Sequence, residues 1–429
     1  MTSPFSPRVV GTNRADFTDI ESFLKFHKFN HKNEEELILE IYNYLTSTID
    51  GSYHWWDMEE DKGEPTVKGR VIDPVKLFNV YGWMICGQMA CTLYRIYTTA
   101  GYKARQFGAP GHTICEVFYE NSWHFLDVDM WTWFKNKNNK IASAYELSQN
   151  PFELIVTNTN KSNPCNLPDR TLKSYAEMFQ GLTTKDSDID TVIPDFSIQA
   201  HTMDFYLRPS ESITKSTIAQ GRFHMPNRFK PMITKNKGEN KWHGHPSERY
   251  EPFRTYGNGK WIYEPVLNNK FQDFAIGVWE KDGISQNEKG IIGKGFFVFR
   301  ILSPYIFCGV PKLENNTITC SNGVFISLRG HGNVSLKITN AENEWVPVKQ
   351  WDGNFEDKLD VTEIFDGRYH GFIKIEQKEN SVLEKFKFEG FIQTAPMAIP
   401  RLEKGPTNFV FLAQDKLGLN TTPYHMPID

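Results

Sequence analysis

Three residues whose types together support thiol catalysis stand within one short block of the sequence. Cys86 begins a helix-like run, His112 begins a predicted strand, and Asp127 lies at the end of the next strand. A thiol, an imidazole and a carboxylate act as nucleophile, base and orienting group in thiol enzymes. The block therefore makes an enzyme the leading hypothesis, although it does not name a substrate.

The predicted position of Cys86 at a helix N-terminus favours the reactive form of a thiol. A free thiol is mostly protonated near neutral pH, because its reference pKa is about 8.5. Unpaired backbone N–H groups and a partial positive charge at a helix start favour the thiolate. Gly87 allows close backbone approach beside the sulfur, and the backbone amide of Cys86 is a candidate oxyanion donor.

A helix and three strands must hold these residues. Apolar side chains at helical spacing predict a helix from Cys86 to Ala100, and Gly101 is a typical C-terminal stop. The alternating pattern that follows, with a turn at Asn121-Ser122, predicts antiparallel strands. The predicted strands cover residues 102–107, 113–119 and 123–129.

The hairpin formed by the last two strands brings a carboxylate to the histidine. His112 follows a Gly-Ala-Pro-Gly turn and opens one strand, while Asp127 ends the other. A carboxylate at that place fixes the imidazole tautomer and stabilises the charged ring. Asp129 is the weaker candidate, because only one of the two aspartates is expected to be in register with His112.

Composition excludes two broad classes of function. The chain has 429 residues and a formal net charge of −4, without the basic tail or cluster typical of nucleic-acid binding, so no nucleic-acid partner is expected. No run approaches the ~20 apolar residues of a membrane span. Aromatic residues make up 14% of the chain. Rings of this kind fill β-rich cores and also stack on sugars.

The cysteines and histidines predict no metal site and no cofactor. The six cysteines include no CxxC pair, so a structural zinc site is not expected. His243 and His245 form a possible ligand pair, but two ligands on one strand face are weak support for a metal. Cys308 and Cys320 are either free thiols or a disulfide, and the sequence leaves both open.

The N-terminal residues bear on the location of the protein. They lack the charged and apolar regions of a signal peptide. We expect a secreted or periplasmic protein, in a mature form whose leader has been removed. A cytoplasmic location is the alternative.

Several stretches around the three residues resemble the transglutaminase-like superfamily. These stretches are Tyr81-Gly82, Cys86, Ala100-Gly101-Tyr102-Lys103-Ala104-Arg105, residues 111–119 (GHTICEVFY) and residues 122–127 (SWHFLD). The resemblance covers about 75–130 and implies a papain-like α+β core with a Cys-His-Asp triad. It makes Cys86 the nucleophile, His112 the base and Asp127 the orienting group. Ile85 and Gly87 stand where the animal enzymes have Gln and Trp, so protein cross-linking is not the expected activity.

A second set of stretches resembles transglutaminase-like proteins of polysaccharide-degrading bacteria. These stretches are residues 207–211 (LRPSE), 256–265 (YGNGKWIYEP), 393–396 (QTAP) and 399–402 (IPRL). The resemblance extends to a β-sandwich tail. It implies a glycan as the substrate or the anchor of this chain.

The fold expected from these observations is α+β, with a transglutaminase-like catalytic core followed by a β-rich region and a C-terminal β-sandwich. Short β-like runs separated by Gly, Asn, Asp and Pro dominate after about residue 200. We expect the catalytic domain at 1–199, the β-rich intermediate domain at 200–295 and the sandwich at 296–429. Carbohydrate association is one expectation for the sandwich.

The leading expectation is a thiol enzyme that processes a glycan-linked or polysaccharide-associated substrate by acyl transfer or amide hydrolysis. The first alternative is a polysaccharide lyase that cleaves a uronic-acid chain by β-elimination, which requires a base, an acid and groups that neutralise a carboxylate. The second alternative is a non-catalytic glycan-binding protein. The expected substrate-binding residues are His54, Trp55, Trp83, His201, Tyr206 and Arg208.

Overall fold

A computed structural model describes most of the chain. Within that part, the protein is of mixed α+β class with several antiparallel sheets, as the sequence predicts. The described residues are 5–11, 15–26, 33–48, 71–82, 84, 86–157, 169–182, 191–192, 201–216, 218, 220–224, 257–314, 317–340, 343–395, 398–399, 407–414 and 424–428.

The helices concentrate in the first half of the chain. The predicted helix from Cys86 to Ala100 is confirmed, and its last residue is Thr99. A π-helical turn, Leu77–Tyr81, continues α3, and a second one, Phe152–Thr157, follows α5. The α-helices are α1 (Ile20–Phe26), α2 (Glu34–Thr48), α3 (Pro74–Lys76), α4 (Cys86–Thr99), α5 (Ala144–Gln149), α6 (Asp169–Gln180), α7 (Asp273–Gly277) and α8 (Thr362–Phe365).

The strands are spread over the whole described chain. The three strands predicted around His112 are confirmed as β2, β3 and β4, with shifts of one to three residues at their ends. The strands are β1 (Phe5–Gly11), β2 (Lys103–Ala109), β3 (His112–Tyr119), β4 (Ser122–Leu126), β5 (Thr191–Val192), β6 (Glu211–Lys215), β7 (Gly257–Tyr263), β8 (Val278–Gln286), β9 (Ile291–Leu302), β10 (Val310–Glu314), β11 (Thr317–Ser321), β12 (Val324–His331), β13 (Val334–Thr339), β14 (Trp345–Trp351), β15 (Asn354–Asp360), β16 (His370–Gln377), β17 (Val382–Thr394), β18 (Thr407–Gln414) and β19 (Tyr424–Ile428).

A four-stranded antiparallel sheet of order β4-β3-β2-β5 carries the histidine. Because side chains alternate along a strand, each face of this sheet has its own apolar partner. On one face, Cys115 and Val117 pack against α4 and the larger core. On the other face, Phe107, Ile114 and Phe125 join the core formed by α5 and α6. The sheet is therefore held between helices on both sides.

A larger antiparallel sheet of ten strands fills the second half of the described chain. Its main order is β14-β13-β16-β9-β17-β12-β15, and β6, β7 and β8 join it as branches. The strand β7 precedes residue 296 and pairs with β17, which follows it, and β8 pairs with β9, which crosses residue 296. The three domain limits and the sandwich topology stay predictions, since pairing alone does not divide the chain.

Contacts join the large sheet to the segment that leads into α4. The Gln393 side chain donates to the Val80 carbonyl at 3.0 Å, and the Ala395 amide donates to the Asn79 carbonyl at 2.9 Å. The His201 amide donates to the Asp73 carboxylate at 2.6 Å. The π-helical turn before Cys86 is therefore anchored on β17.

Within the described part of the chain, no helix is both long enough and apolar enough to cross a membrane.

We predict that Phe125→Ala lowers the free energy of unfolding by about 3–5 kcal/mol, as expected for a large cavity in a well-packed core. Phe125 is fully buried and packs on Phe134 and Phe179, with ring centroids at 6.1 and 5.2 Å. Urea denaturation measures the change. Phe271→Ala is the matched control, because Phe271 is 56% exposed and its removal costs about 0.5 kcal/mol or less. Equal denaturation midpoints for the two variants would contradict the packing described here.

Candidate active site

A tight turn places His112 at the open end of the sheet. Ala109 and His112 pair across the β2–β3 hairpin, so Pro110 and Gly111 alone form its turn. Gly111 has φ +74°, which matches the second central position of a type II turn, and proline is common at the first. The turn therefore makes His112 the first residue of β3.

The register of the next hairpin puts both candidate carboxylates on the side of His112. Glu120 and Asn121, with φ values of 45° and 61°, form a two-residue turn between β3 and β4. Cys115 pairs with Leu126, so continuing the ladder places Asp129 opposite His112 and Asp127 diagonal to it on the same face. The prediction that only one aspartate shares this register is therefore wrong, because the two are separated by a full period of the strand.

Asp127 is the carboxylate that binds the histidine. Its Oδ2 atom lies 2.6 Å from His112 Nε2 and also accepts a hydrogen bond from the Tyr175 hydroxyl. Its Oδ1 atom accepts from the Met130 amide at 3.0 Å. The backbone of Asp127 exchanges two hydrogen bonds with Thr132, both at 2.9 Å. The carboxylate is buried and bound from several directions, so its orientation towards His112 is fixed.

Cys86 lies on the other side of the imidazole. It is the first residue of α4, it is half-buried, and its side chain is hydrogen-bonded to His112. Since Nε2 of His112 faces Asp127, Nδ1 is the ring atom left for the sulfur. The structure therefore brings the three predicted residues into one hydrogen-bonded chain, in the order Cys86, His112, Asp127.

The surroundings of His112 hold a proton on its ring. Burial lowers the pKa of His112, but the charge and hydrogen bond of Asp127, the hydrogen bond to Cys86 and the charge of Asp129 together raise it to about 11. Burial raises the pKa of Asp127. The charge of His112 and the hydrogen bonds from His112 and the Tyr175 hydroxyl outweigh burial, so the net effect is a lowered pKa of Asp127. At neutral pH the pair is therefore an imidazolium and a carboxylate.

A second carboxylate lies on the sulfur side of the ring. Asp129 Oδ2 is 3.9 Å from His112 Nδ1, and the side chain is buried. Burial and the charge of Asp127 raise the pKa of Asp129 to about 7, although His112 acts against this. The Asp129 carboxyl, which lies beside His112 Nδ1, therefore changes its charge close to neutral pH.

The same cluster has the donor atoms of a metal site. One atom each of His112, Asp127 and Asp129 lies within 4.8 Å of the others. An imidazole nitrogen and two carboxylate oxygens suit Zn²⁺ or Mn²⁺. A metal ion at this place would replace the hydrogen bond between Asp127 and His112, so metal binding and the hydrogen-bonded chain exclude each other.

Three predicted substrate-binding residues contact residues other than Cys86, His112 and Asp127. His201 Nε2 is 2.9 Å from the Pro304 carbonyl, and its ring packs on Tyr369. The Arg208 guanidinium donates to both oxygens of Glu211, at 2.7 and 2.9 Å.

Tyr206 is 48% exposed and stands in an isolated bridge rather than in a strand. A substrate role for His201, Tyr206 and Arg208 stays a prediction. His54, Trp55 and Trp83 lie outside the described residues, as does the histidine pair at 243 and 245.

Sequence reasoning did not identify Tyr175 or the paired role of Asp129. Tyr175 comes from α6, 48 residues after Asp127. Its spacing with Phe179 on the apolar face of α6 is typical of a core position, which it also is. The signal that could have found Asp129 is the two-residue period, which puts it on the same face as Asp127.

Comparisons with known protein families, curated proteins and solved structures identify no homologue of this chain. No protein-family model matches the chain, and neither a curated protein nor a solved structure with significant similarity was found.

We predict opposite effects on stability from neutralising the two aspartates. The pKa of Asp129 in the folded protein, about 7, lies above its ordinary value of 3.8. Folding therefore takes up a proton between these pH values, and the ionised side chain destabilises the folded protein above pH 7. Asp129→Asn should raise the free energy of unfolding by roughly 1–4 kcal/mol at about pH 8.5, and the gain should disappear below about pH 4.

Asp127→Asn is the matched control for this measurement. Because the pKa of Asp127 is lowered, its ionised form stabilises the folded protein, and this contribution is lost only as the pH falls through the folded pKa. Breaking the buried pair at about pH 8.5 should cost about 3–5 kcal/mol. Urea denaturation of both variants across pH decides the matter, and a loss of stability in Asp129→Asn at high pH would contradict the assignment.

Proposed function

We propose that this chain is a thiol enzyme of the transglutaminase-like type, in which Cys86 attacks an acyl carbon of a glycan-linked or polysaccharide-associated substrate. The observation that carries the proposal is the hydrogen-bonded order of Cys86, His112 and Asp127, with the cysteine at a helix start. Unrelated thiol and serine enzymes are recognised by the same geometry and roles. The resemblance of residues 75–130 to the superfamily points the same way.

Each residue has a distinct chemical part in this proposal. The sulfur of Cys86 forms a bond to the carbonyl carbon, and the oxygen that becomes negative is stabilised by backbone N–H groups at the first turn of α4. His112 holds the proton that the Cys86 thiol gives up, because its pKa is raised to about 11. It gives this proton to the leaving nitrogen, and it takes one back from the water or amine that releases the acyl group. Asp127 stays ionised and keeps the ring in place.

A water molecule as acceptor gives amide hydrolysis, and an amine gives acyl transfer. Both proceed through the same thioester and differ only in the group that attacks it. Ile85 and Gly87, which replace the residues flanking the cysteine in the animal enzymes, support a substrate other than a glutamine side chain of a protein. The glycan setting rests on the second resemblance and on the aromatic content of the chain.

The polysaccharide lyase is the less favoured alternative. β-Elimination needs an unprotonated base at C5, whereas the pKa of about 11 keeps His112 protonated at neutral pH. The Tyr175 ring lies 6.2 Å from the His112 ring, but it is buried and its hydroxyl donates to Asp127. The base of a lyase would therefore have to come from another residue, such as His201 or Tyr206. A non-catalytic glycan-binding protein would not need the chain of hydrogen bonds.

We predict that Cys86 is the described cysteine that reacts with iodoacetamide in the folded protein. Cys86 is half-buried, whereas Cys91, Cys115, Cys308 and Cys320 are buried, and none of these five is in a disulfide. The measurement is peptide mapping after brief alkylation, performed in a Cys165→Ala background because that cysteine is outside the described residues. His112→Gln should slow the reaction by about 10²-fold or more, since the protonated imidazole that stabilises the thiolate is lost.

Cys115→Ala is the control for the alkylation experiment, and it should leave the extent of labelling unchanged. Modification of Cys115 before Cys86, or a rate at Cys86 that does not respond to His112→Gln, would remove the support for a paired thiol and imidazole.

A second experiment separates the two chemistries. The protein is incubated with uronic-acid polysaccharides and with amide-containing glycopeptides, and unsaturated products are followed by their ultraviolet absorbance. Amide cleavage or acyl transfer that falls by about 10⁴-fold or more in Cys86→Ala supports the proposal. Unsaturated product formed equally by wild type and Cys86→Ala establishes the lyase instead.

A further inference from the structure

A row of exposed aromatic rings crosses the outer face of the large sheet. Trp345 on β14 pairs with Thr339 on β13, whose hydroxyl accepts from the Phe372 amide on β16. Phe372 pairs with Arg300 on β9. Trp279 on β8 is the extra residue of a bulge opposite Phe299 and Val298, and its ring centroid lies 5.0 Å from the Arg300 guanidinium. We name Trp279, Arg300, Phe372 and Trp345 the aromatic row.

The row faces outwards and is open. In β16, Ile373 and Ile375 are buried, while Phe372 and Lys374 are half-buried on the opposite face. Trp279 is 59% exposed and Trp345 is 40% exposed. Large exposed rings are costly for a soluble protein unless they serve an interaction. The row spans five neighbouring strands, β14, β13, β16, β9 and β8, so four steps of about 4.8 Å make it about 19 Å long.

Cations lie between the rings of the row. The Arg300 guanidinium is 5.0 Å from the centroid of Trp279 and 6.0 Å from that of Phe372. The Lys374 ammonium is 5.6 Å from the centroid of Trp345. Positive charges therefore lie beside the rings of the row: Arg300 beside Trp279 and Phe372, whose centroids are 6.1 Å apart, and Lys374 beside Trp345.

Arg300 differs from the lysines on the same face. Lys337 and Lys374 both pair with Glu376, at 2.9 and 3.3 Å. Among the described residues, no carboxylate forms an ion pair with Arg300, and no group accepts from its buried Nε atom. A guanidinium that packs on two rings and has no carboxylate partner among the described residues is suited to bind a carboxylate from outside.

We propose that the aromatic row binds an acidic polysaccharide, laid across the strands with a carboxylate on Arg300. The apolar faces of sugar rings match exposed Trp and Phe side chains, and uronate carboxylates match the intervening cations. The proposal rests on the proposed function for the class of substrate, but it does not depend on the chemistry at Cys86.

Affinity electrophoresis of the full chain in gels that contain polygalacturonate, alginate or uncharged dextran tests this proposal. We expect at least one of the two acidic polymers to retard the protein, and dextran to leave its mobility unchanged. Trp279→Ala and Trp345→Ala should each weaken binding on the order of tenfold, as truncated aromatic anchors do. Arg300→Gln should weaken it similarly and make it less sensitive to salt. Phe271→Ala, which removes a ring that is 56% exposed outside the row, should bind as the wild type does.

No retardation by either acidic polymer, equal retardation by dextran, or unchanged binding in Trp279→Ala and Arg300→Gln would each overturn the proposal. Circular dichroism and urea midpoints verify that the variants are folded. Cys86→Ala should bind like the wild type, and Trp279→Ala should keep the alkylation rate of Cys86. Loss of binding with an intact reactive thiol therefore refutes the aromatic row alone, while an inert thiol with intact binding refutes only the proposed enzyme.

Discussion

The ion pair between His112 and Asp127 is the interaction on which the candidate site depends. Its 2.6 Å contact lies at the open end of a small sheet, where one residue of slippage would turn one partner to the opposite face. Two tight turns fix the register, and helices packed on both faces hold the strands. Tyr175 and Met130 then fix the carboxylate itself. The two turns and the packing on both faces of the sheet thus together hold the hydrogen bond between His112 and Asp127 in place.

The pair also determines how charge is distributed around it. Asp127 and Asp129 are two residues apart, share one face and approach the same imidazole, yet their pKa values move in opposite directions. Asp127 has the hydrogen bonds that stabilise its ionised form, and its charge then opposes ionisation of Asp129. Asp129 is therefore the carboxylate that responds to neutral pH, on the side of the ring that faces Cys86. A thiol site with such a neighbour has a built-in sensitivity to pH that the three predicted residues alone would not give it.

The sequence predicts the local parts of this arrangement and not the distant ones. The helix at Cys86, the strands around His112 and the turn near Asn121 follow from apolar spacing and turn residues, so they could be predicted. Tyr175 could not, because its contact with Asp127 depends on how α6 packs across the sheet. For the ten-stranded sheet, the sequence predicts only a β-rich region, because strand order is set by pairing between residues far apart in the chain. The aromatic row belongs to the same class of features, because its members come from strands far apart in the chain.

The anchoring of the segment before Cys86 gives the large sheet a part in the site as well. The π-helical turn Leu77–Tyr81 ends at Gly82, whose φ of 69° lets the chain turn towards the start of α4. Hydrogen bonds from Gln393 and Ala395 hold the carbonyls of Val80 and Asn79 against β17. The helix start that carries the proposed nucleophile is thus supported by the sheet, and the outer face of the same sheet carries the aromatic row. A thiol enzyme for polymeric substrates benefits from such a division, because binding energy gathered far from the reacting bond can raise the local concentration of substrate without constraining the chemistry at Cys86.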